Sequence, residues 1–211
     1  MTQESTLEPA ITDGMNSVER AIKRMFDIVV ACLGIVVLSP VMFCIYILLR
    51  HQGDGPVLFR QERIGYHGRP FNILKFRTMA VEAEEDGTPR LTPQDDERQT
   101  RLGRYLREHH LDELPQLINV LRGEMSFVGP RPERKFFIEK IMEQNSDYRY
   151  IYLMRPGTTS MATLYNGYTD TMEKMLIRLQ MDLEYYQKRS LWTDVKIMAT
   201  TAKFLIVGKM F

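Results

Sequence analysis

The stretch that decides the fold is IVVACLGIVVLSPVMFCIYILL, residues 28–49, which has no charged side chain over 22 positions. As a straight helix it would be about 33 Å long, enough to cross a hydrocarbon core of about 30 Å. The run starts too late and continues too far for a signal peptide, and it lacks a small-residue cleavage site. We therefore predict a membrane segment, with the buried core helix of a soluble domain as the alternative.

The middle of this run carries Ser39-Pro40. Proline removes one backbone hydrogen bond and clashes with the preceding turn, and the Ser39 hydroxyl can satisfy a carbonyl that is freed there. Lys23 and Arg24 precede the run and are predicted to anchor it at the membrane interface. Since basic residues also follow the run, neither orientation is favoured. We predict a helix over residues 18–50 that enters the bilayer, breaks at Ser39-Pro40 and returns to the same face; a kinked spanning helix is the alternative.

The overall composition is that of one globular domain with a single apolar segment. The 211 residues include 28 basic and 27 acidic side chains, for a formal net charge of +1, so a nucleic-acid partner is not expected. The mean hydropathy of −0.27 excludes a polytopic membrane protein. The two cysteines both lie in the apolar run, where neither a disulfide nor a zinc site is expected.

Outside the apolar run, the pattern predicts a mixed α/β domain over residues 51–211 that is mostly helical. Residues 1–17 are polar with little periodicity and are predicted to be a flexible tail. Residues 56–79 alternate as strands do and predict a β-hairpin. Residues 82–99 are acidic and contain two prolines, which predicts a loop, because no ligand spacing supports a metal site there.

Basic side chains recur along two predicted elements. In the second strand of the hairpin, a period of two puts Lys75 and Arg77 on one face. A helix over residues 98–107 carries an arginine at every third position, ending at Arg107. For both elements, a solvated surface is the default interpretation, and an anion-binding surface is the more specific alternative.

The segment LDELPQLINVL, residues 111–121, has the apolar period of a helix. Pro115 belongs in its first turn, which places Asp112 near the N-cap and Glu113 just inside the helix. Unpaired N–H groups favour anions there, both carboxylates and bound phosphates. Adjacent residues point about 100° apart, so the two acids are expected to do different work. A capping acid without chemistry is the alternative.

Two arginines stand in proline-rich turns. Arg131 lies between Pro130 and Pro132, and this stiff backbone presents a guanidinium that is suited to clamping a phosphate. Arg155 of the sequence RPG repeats the pattern more weakly. A rigid turn is the plainer interpretation. The last 21 residues mix aromatic, aliphatic and lysine side chains, which predicts either a core helix or a helix at the membrane interface.

The order of the motifs is more specific than any one of them. KRMFDIVVA, LSP, GPVLFRQERIGYHGRPFNILKFRTM, LREHHLDELPQLINVLRGEMSFVGPRPE and RPG together resemble the monotopic phosphoglycosyl transferases among the bacterial sugar transferases, over about residues 20–157. Members of that family transfer a sugar-1-phosphate from a UDP-sugar to a polyprenyl phosphate such as undecaprenyl phosphate and release UMP. This reaction begins the assembly of a surface glycan or glycoconjugate, such as lipopolysaccharide or capsule.

The resemblance also implies a location and residue roles. It implies a monotopic enzyme on the cytoplasmic face of the bacterial inner membrane, with membrane lipids around a re-entrant helix and a small cytoplasmic catalytic domain with interfacial helices. The family's nucleophile corresponds to Asp112, its Mg²⁺ ligand to Glu113 and the break of its helix to Ser39-Pro40. Its phosphate-contacting and active-site basic residues correspond to Arg107, Arg131, Lys75 and Arg77.

One departure from the family concerns TTSMATLYNGYTD after the RPG motif, in a region expected near the sugar or nucleotide. The sequence therefore leaves the sugar open, together with the pathway and the oligomeric state, a homo-oligomer included. We expect the minimal form of the family, without a large N-terminal domain. A membrane-anchored scaffold without turnover and a nucleotide-sugar hydrolase are the rival functions.

Overall fold

The computed structural model describes residues 11–53, 55–79, 98–167 and 169–207. The helices are α1 (Ser17–Gln52), α2 (Arg101–Glu108), α3 (Gln116–Arg122), α4 (Lys135–Gln144), α5 (Met161–Tyr165), α6 (Met172–Lys188) and α7 (Leu191–Val207). The strands are β1 (Leu58–Ile64), β2 (Pro70–Phe76), β3 (Ser126–Val128) and β4 (Gly157–Thr159), with 3₁₀ turns at Tyr66–Gly68, Leu111–Glu113 and Ser146–Leu153. The predicted mixed α/β class is confirmed. Most of the predicted acidic loop lies outside the described residues.

Helix α1 carries strong start and stop signals. The side chain of Asn16 accepts hydrogen bonds from the N–H groups of Val18 and Glu19, and the Glu19 carboxylate accepts one from the N–H of Asn16. Gly53 ends the helix in the left-handed region, at φ 83°. Among the described helices, α1 is the one long and apolar enough to cross a membrane.

Pro40 lies inside α1, and the helix continues through it. Proline has no N–H to donate to the carbonyl four residues earlier, which belongs to Val36. The Ser39 hydroxyl donates to this carbonyl instead, at 2.7 Å. The predicted compensation by Ser39 is therefore present, whereas the predicted break is not, because the backbone stays helical on both sides of the proline.

One face of α1 packs on the rest of the protein, and the opposite face is apolar and exposed. Its buried residues are Asp27, Ala31, Ile45 and Leu49, which follow the helical period. On the other side, 71% of Val36 and 64% of Phe43 are accessible. An exposed apolar surface of this kind marks a contact with lipid or protein.

The predicted hairpin is confirmed. β1 and β2 pair antiparallel, with Leu58 opposite Phe76 and Ile64 opposite Pro70. Phe71 of β2 packs with Ala31 of α1 and with α3, so the hairpin lies against both helices. This packing directs β2 past the turn that precedes α3.

The second sheet pairs β3 with β4 in parallel. Gly129 follows β3 and Gly157 begins β4, and the backbones of these two glycines are in contact. A Cβ on Gly129 would lie 2.3 Å from the carbonyl oxygen of Arg155, and a Cβ on Gly157 would lie 2.2 Å from the backbone nitrogen of Gly129. Any side chain at either position would force the strands apart. The GPRP and RPG motifs of the sequence are therefore in direct contact.

The largest core lies between α4, the 3₁₀ turn Ser146–Leu153, α6 and α7. Its least exposed members include Ile138, Ile141, Met154 and Ile197. The segment after the RPG motif that departs from the family pattern includes α5, which packs beside α6 and α7. That this region touches the sugar stays a prediction.

Part of the predicted N-terminal tail is held by the fold. Asp13 accepts two hydrogen bonds from Arg189, at 2.7 and 2.6 Å, and forms an ion pair with Arg20. Met15 is buried, and the Gly14 N–H donates to the Tyr186 carbonyl. Residues 11–16 are thus fixed at the junction of α6 and α7, and residues 1–10 lie outside the described part.

Candidate active site

The two predicted catalytic acids lie in the 3₁₀ turn Leu111–Glu113, and α3 begins only at Gln116. Pro115 explains the difference from the predicted helix start, because it cannot donate to the carbonyl four residues earlier and the chain closes tighter three-residue turns instead. Asp112 is therefore not the N-cap of α3, and Glu113 is not inside it.

Lys75 of β2 joins the two carboxylates. Its Nζ lies 2.6 Å from Oε1 of Glu113 and 3.9 Å from Oδ2 of Asp112. Lys75 and Asp112 are 37 residues apart in the sequence, and their contact brings the KFRTM and LDELP motifs together. The structure brings Lys75 to the dyad, as predicted.

Two further predicted arginines approach the dyad. Arg131 reaches it from the GPRP segment, with Nη2 lying 3.8 Å from Oε1 of Glu113. Arg107 lies in the last turn of α2, and its charge opposes the rise that burial causes in the pKa of Asp112. Three separate elements therefore bring cations to the two acids, and this arrangement suits a phosphate group.

The two carboxylates differ in their electrostatic state. Burial raises the pKa of Asp112, with Lys75 opposing the rise and Glu113 adding to it. Burial also acts on Glu113, but the charges of Lys75 and Arg131 outweigh it and lower its pKa to about 2. Oδ1 of Asp112 is buried and has no hydrogen-bond partner among the described residues. Glu113 is thus a fixed, ion-paired carboxylate, and Asp112 carries the free oxygen.

A divalent metal at this dyad would lie beside two carboxylates of the protein. In the part of the chain that the structure describes, no group of three or more His, Cys, Asp or Glu could hold a metal. Mg²⁺ commonly uses one or two carboxylates and takes its other oxygens from substrate phosphates and water. The Glu113 carboxylate fits an ion of that kind as its protein ligand, with phosphate and water oxygens completing the set.

Arg77 and Arg155 were predicted to bind phosphate, and the structure does not bring them to the dyad. Arg77 is buried and donates to the carbonyls of Leu49 and Pro56, so it ties the end of α1 to β2. Arg155 donates from Nε to the Gly123 carbonyl, at the opposite end of α3 from the dyad. Both guanidiniums bind backbone carbonyls near helix ends.

Lys23 and Arg24, the predicted interface anchors, also bind protein groups. Lys23 donates to the Val128 carbonyl and forms an ion pair with Asp194 of α7. Arg24 donates to two carbonyls near the end of α3, those of Val120 and Leu121. The two residues fix the start of α1 against the domain.

Sequence reasoning missed a group of charged residues behind the GPRP segment. Glu133 lies between Arg63 of β1 and Arg178 of α6 and forms ion pairs with both. The one signal for it was the position of Glu133 directly after GPRP. The other missed residue is His110, which precedes the dyad at φ 53°; its positive charge opposes the rise in the pKa of Asp112 and adds to the fall in that of Glu113.

Comparison with known proteins then assigns the fold to a family. The sequence model of the family described as bacterial sugar transferase matches residues 18–208 of this chain. This chain belongs to the bacterial sugar transferase family. The assignment confirms the resemblance found in the motifs.

Similar sugar transferases have named activities. Over 205 residues, the chain is 42% identical to the UDP-glucose:undecaprenyl-phosphate glucose-1-phosphate transferase of Escherichia coli (96% of this chain, 43% of the relative). A UDP-N-acetylgalactosamine-undecaprenyl-phosphate N-acetylgalactosaminephosphotransferase of Aeromonas hydrophila is 37% identical over 187 residues (89% and 44%). A glucose-1-phosphate transferase of Caulobacter vibrioides is 42% identical over 187 residues (87% and 69%). This sugar transferase chain thus spans less than half the length of the first two relatives.

Proposed function

We propose that the chain is a phosphoglycosyl transferase that moves a sugar-1-phosphate from a UDP-sugar to undecaprenyl phosphate and releases UMP. The observation that carries the proposal is the dyad: a buried carboxylate oxygen on Asp112 that has no hydrogen-bond partner in the described part of the chain, beside a Glu113 that is paired with Lys75 and Arg131. The names of the relatives supply the same two substrates.

In the first step, the free oxygen of Asp112 attacks the phosphorus that carries the sugar. A phosphorus–oxygen bond to Asp112 forms, and the bond from that phosphorus to UMP breaks, with its electron pair leaving on the UMP oxygen. This oxygen is buried and has no hydrogen-bond partner among the described residues, so it is poorly solvated; burial raises the pKa of Asp112, and the charges of Lys75 and Arg107 oppose that rise. The product is an aspartyl phosphosugar.

In the second step, a phosphate oxygen of the lipid attacks the same phosphorus. The bond to Asp112 breaks, the carboxylate is restored, and the sugar leaves on a polyprenyl diphosphate. Lys75 and Arg131 stand where negative charge accumulates in both steps, so they stabilise both transition states. When bound by Glu113, Mg²⁺ would supply Lewis-acid neutralisation of the diphosphate.

The contacts at both flanks of α1 support a monotopic membrane protein. Near the start of the apolar run, Asp27 accepts a hydrogen bond from the Phe127 N–H, and near its end the Leu49 carbonyl accepts one from Arg77. Phe127 and Arg77 belong to the same charged domain, which does not enter a bilayer. Both flanks of the run therefore belong on one side, which we propose is the cytoplasmic face of the inner membrane. The helix would enter the lipid and return to that face by bending at Ser39-Pro40, with its backbone helical on both sides of the proline.

Helix α7 offers a second membrane contact. Trp192 is 65% exposed, Val195 lies on the same face, and the ammonium of Lys196 lies over the Trp192 ring. An exposed aromatic residue with aliphatic and lysine neighbours suits the membrane–water interface. We propose that α7 lies at this interface.

The decisive assay is UMP release from a panel of UDP-sugars, with and without undecaprenyl phosphate and Mg²⁺. The proposal expects repeated turnover only when both the lipid phosphate and the metal are present, and no more than one UMP per protein molecule when the lipid is absent. Release without the lipid at the full rate would indicate a nucleotide-sugar hydrolase, and no release with any sugar would indicate a scaffold.

A further inference from the structure

Arg131 lies on a segment that is attached at both ends. On one side, the Gly157 N–H donates to the Pro130 carbonyl at 2.9 Å. On the other side, the Ile64 N–H donates to the Glu133 carbonyl at 3.0 Å. The two attachments fix the backbone, but the Arg131 side chain between them is 42% exposed and needs a defined direction to meet a phosphate.

The carboxylate of Glu133 is held between two arginines from different elements. Its Oε2 lies 3.3 Å from Nη1 of Arg63, and its Oε1 accepts a hydrogen bond from Nη1 of Arg178. The same Arg63 nitrogen donates to the Pro132 carbonyl at 3.2 Å. No side chain of this Arg63–Glu133–Arg178 clamp is more than 20% exposed, so solvent screens these contacts weakly.

The charges around the clamp make Glu133 indispensable to it. Burial lowers the pKa of Arg63 to about 10, and repulsion from Arg131 and Arg178 adds to the effect while Glu133 opposes it. The nearby acid Asp182 is a weaker counter-charge, because burial raises its pKa to about 7. Without Glu133, the buried arginines would repel one another, and the segment that carries Arg131 would move.

We propose that Glu133 is a positioning residue for Arg131: the clamp holds the segment 130–133 so that the Arg131 guanidinium meets the sugar-bearing phosphate at the Asp112–Glu113 dyad. The role rests on the proposed function. Through Arg178, it also makes α6 part of the support of the site.

The test is a double-mutant cycle on UDP binding, with the β-phosphate of UDP standing in for the sugar-bearing phosphate. The full chain in detergent carries Asp112→Asn throughout, so that no turnover occurs, and calorimetry measures the affinity in the presence of Mg²⁺. Glu133→Gln is expected to weaken binding about tenfold when Arg131 is present, and less than about twofold when Arg131 is already alanine. Equal losses in the two backgrounds would show a merely structural role and overturn the proposal.

A matched control comes from α4. Glu139→Gln makes the same chemical change in an exposed ion pair with Lys135, and is expected to leave UDP binding unchanged. If Glu133→Gln does not fold, Arg178→Gln takes its place in the same cycle with the same expected pattern, and Arg178→Lys is expected to recover most of the affinity. A loss with Glu139→Gln as large as that with Glu133→Gln also contradicts the role.

UMP release by the unaltered chain separates this proposal from the proposed function. Release of UMP together with additive losses in the cycle would leave the function standing and remove the role of Glu133. If the unaltered chain neither binds UDP nor releases UMP, the function fails and the positioning role fails with it.

Discussion

Asp112 and Glu113 are neighbours in one turn, but their surroundings give them different work. Glu113 is ion-paired with Lys75 and Arg131 and is ionised at any working pH, since its pKa is lowered to about 2. We expect Glu113→Gln to lower the rate about 100-fold and to raise the Mg²⁺ concentration at half-maximal rate about tenfold. Metal titration of UMP release measures both, and an unchanged metal requirement would remove Glu113 as a ligand.

Asp182 gives a second prediction at the residue scale, one that concerns stability. Burial raises its pKa to about 7, with Arg178 opposing the shift and Glu133 adding to it. The unfolded chain loses this proton near pH 4 and the folded chain near pH 7, so the wild type loses stability as pH rises between the two. At about 1.4 kcal/mol per unit of pKa, the loss is at most about 4 kcal/mol.

Asp182→Asn removes this titration. The melting temperature of the variant, relative to the wild type, is expected to rise by about 5–10 °C between pH 4 and pH 8. Glu184→Gln, an exposed acid on the same helix, is the control and should show no such rise. A difference that stays constant over this pH range would contradict the assignment.

At the scale of elements, α1 offers a direct test of how a helix tolerates its proline. The Ser39 hydroxyl donates to the carbonyl that Pro40 leaves without a donor. Ser39→Ala is therefore expected to destabilise the protein by about 1 kcal/mol. In a Pro40→Ala background the same change is expected to cost close to nothing, because the alanine N–H takes over the Val36 carbonyl. Melting temperatures of the four proteins measure this, and equal costs in both backgrounds would refute the compensation.

Local patterns predicted some elements and positions, and long-range contacts decided the others. The hairpin and Lys75 followed from the period of two, and Ser39 followed from the chemistry of proline. The period of two predicts that Arg77 lies on the same face of the strand as Lys75. Arg77 instead comes directly after the last residue of β2, and its guanidinium donates to the carbonyl of Leu49. No local pattern names a partner 28 residues away.

The clamp at Glu133 was missed for the same reason. Its partners Arg63 and Arg178 lie 70 and 45 residues away, and each looks like an ordinary surface charge in its own segment. The start of α3 differs from the prediction because proline also suits the first turn of a helix, whereas Pro115 here follows a separate 3₁₀ turn that lies against β2.

At the scale of the whole molecule, the contacts of α1 predict its topology. Single cysteines at Thr12 and at His51, which flank the apolar run, test it in a background where Cys32 and Cys44 are alanine. Both residues are exposed, so a thiol reagent can reach them. With a membrane-impermeant reagent, intact spheroplasts should show labelling at neither position, and permeabilised ones at both. Labelling of one position in intact spheroplasts would show that the helix spans the membrane.

The central claim is that Asp112 forms a covalent bond to the phosphosugar, and peptide mass spectrometry tests it most directly. The protein is incubated with a turned-over UDP-sugar and Mg²⁺ in the absence of undecaprenyl phosphate, with the Asp112→Asn variant as the control. We expect a phosphosugar adduct on Asp112, its loss when undecaprenyl phosphate is added, and a rate of UMP release at least about a thousandfold lower in the variant. An adduct on another residue, or turnover by the asparagine variant at the wild-type rate, would contradict the account.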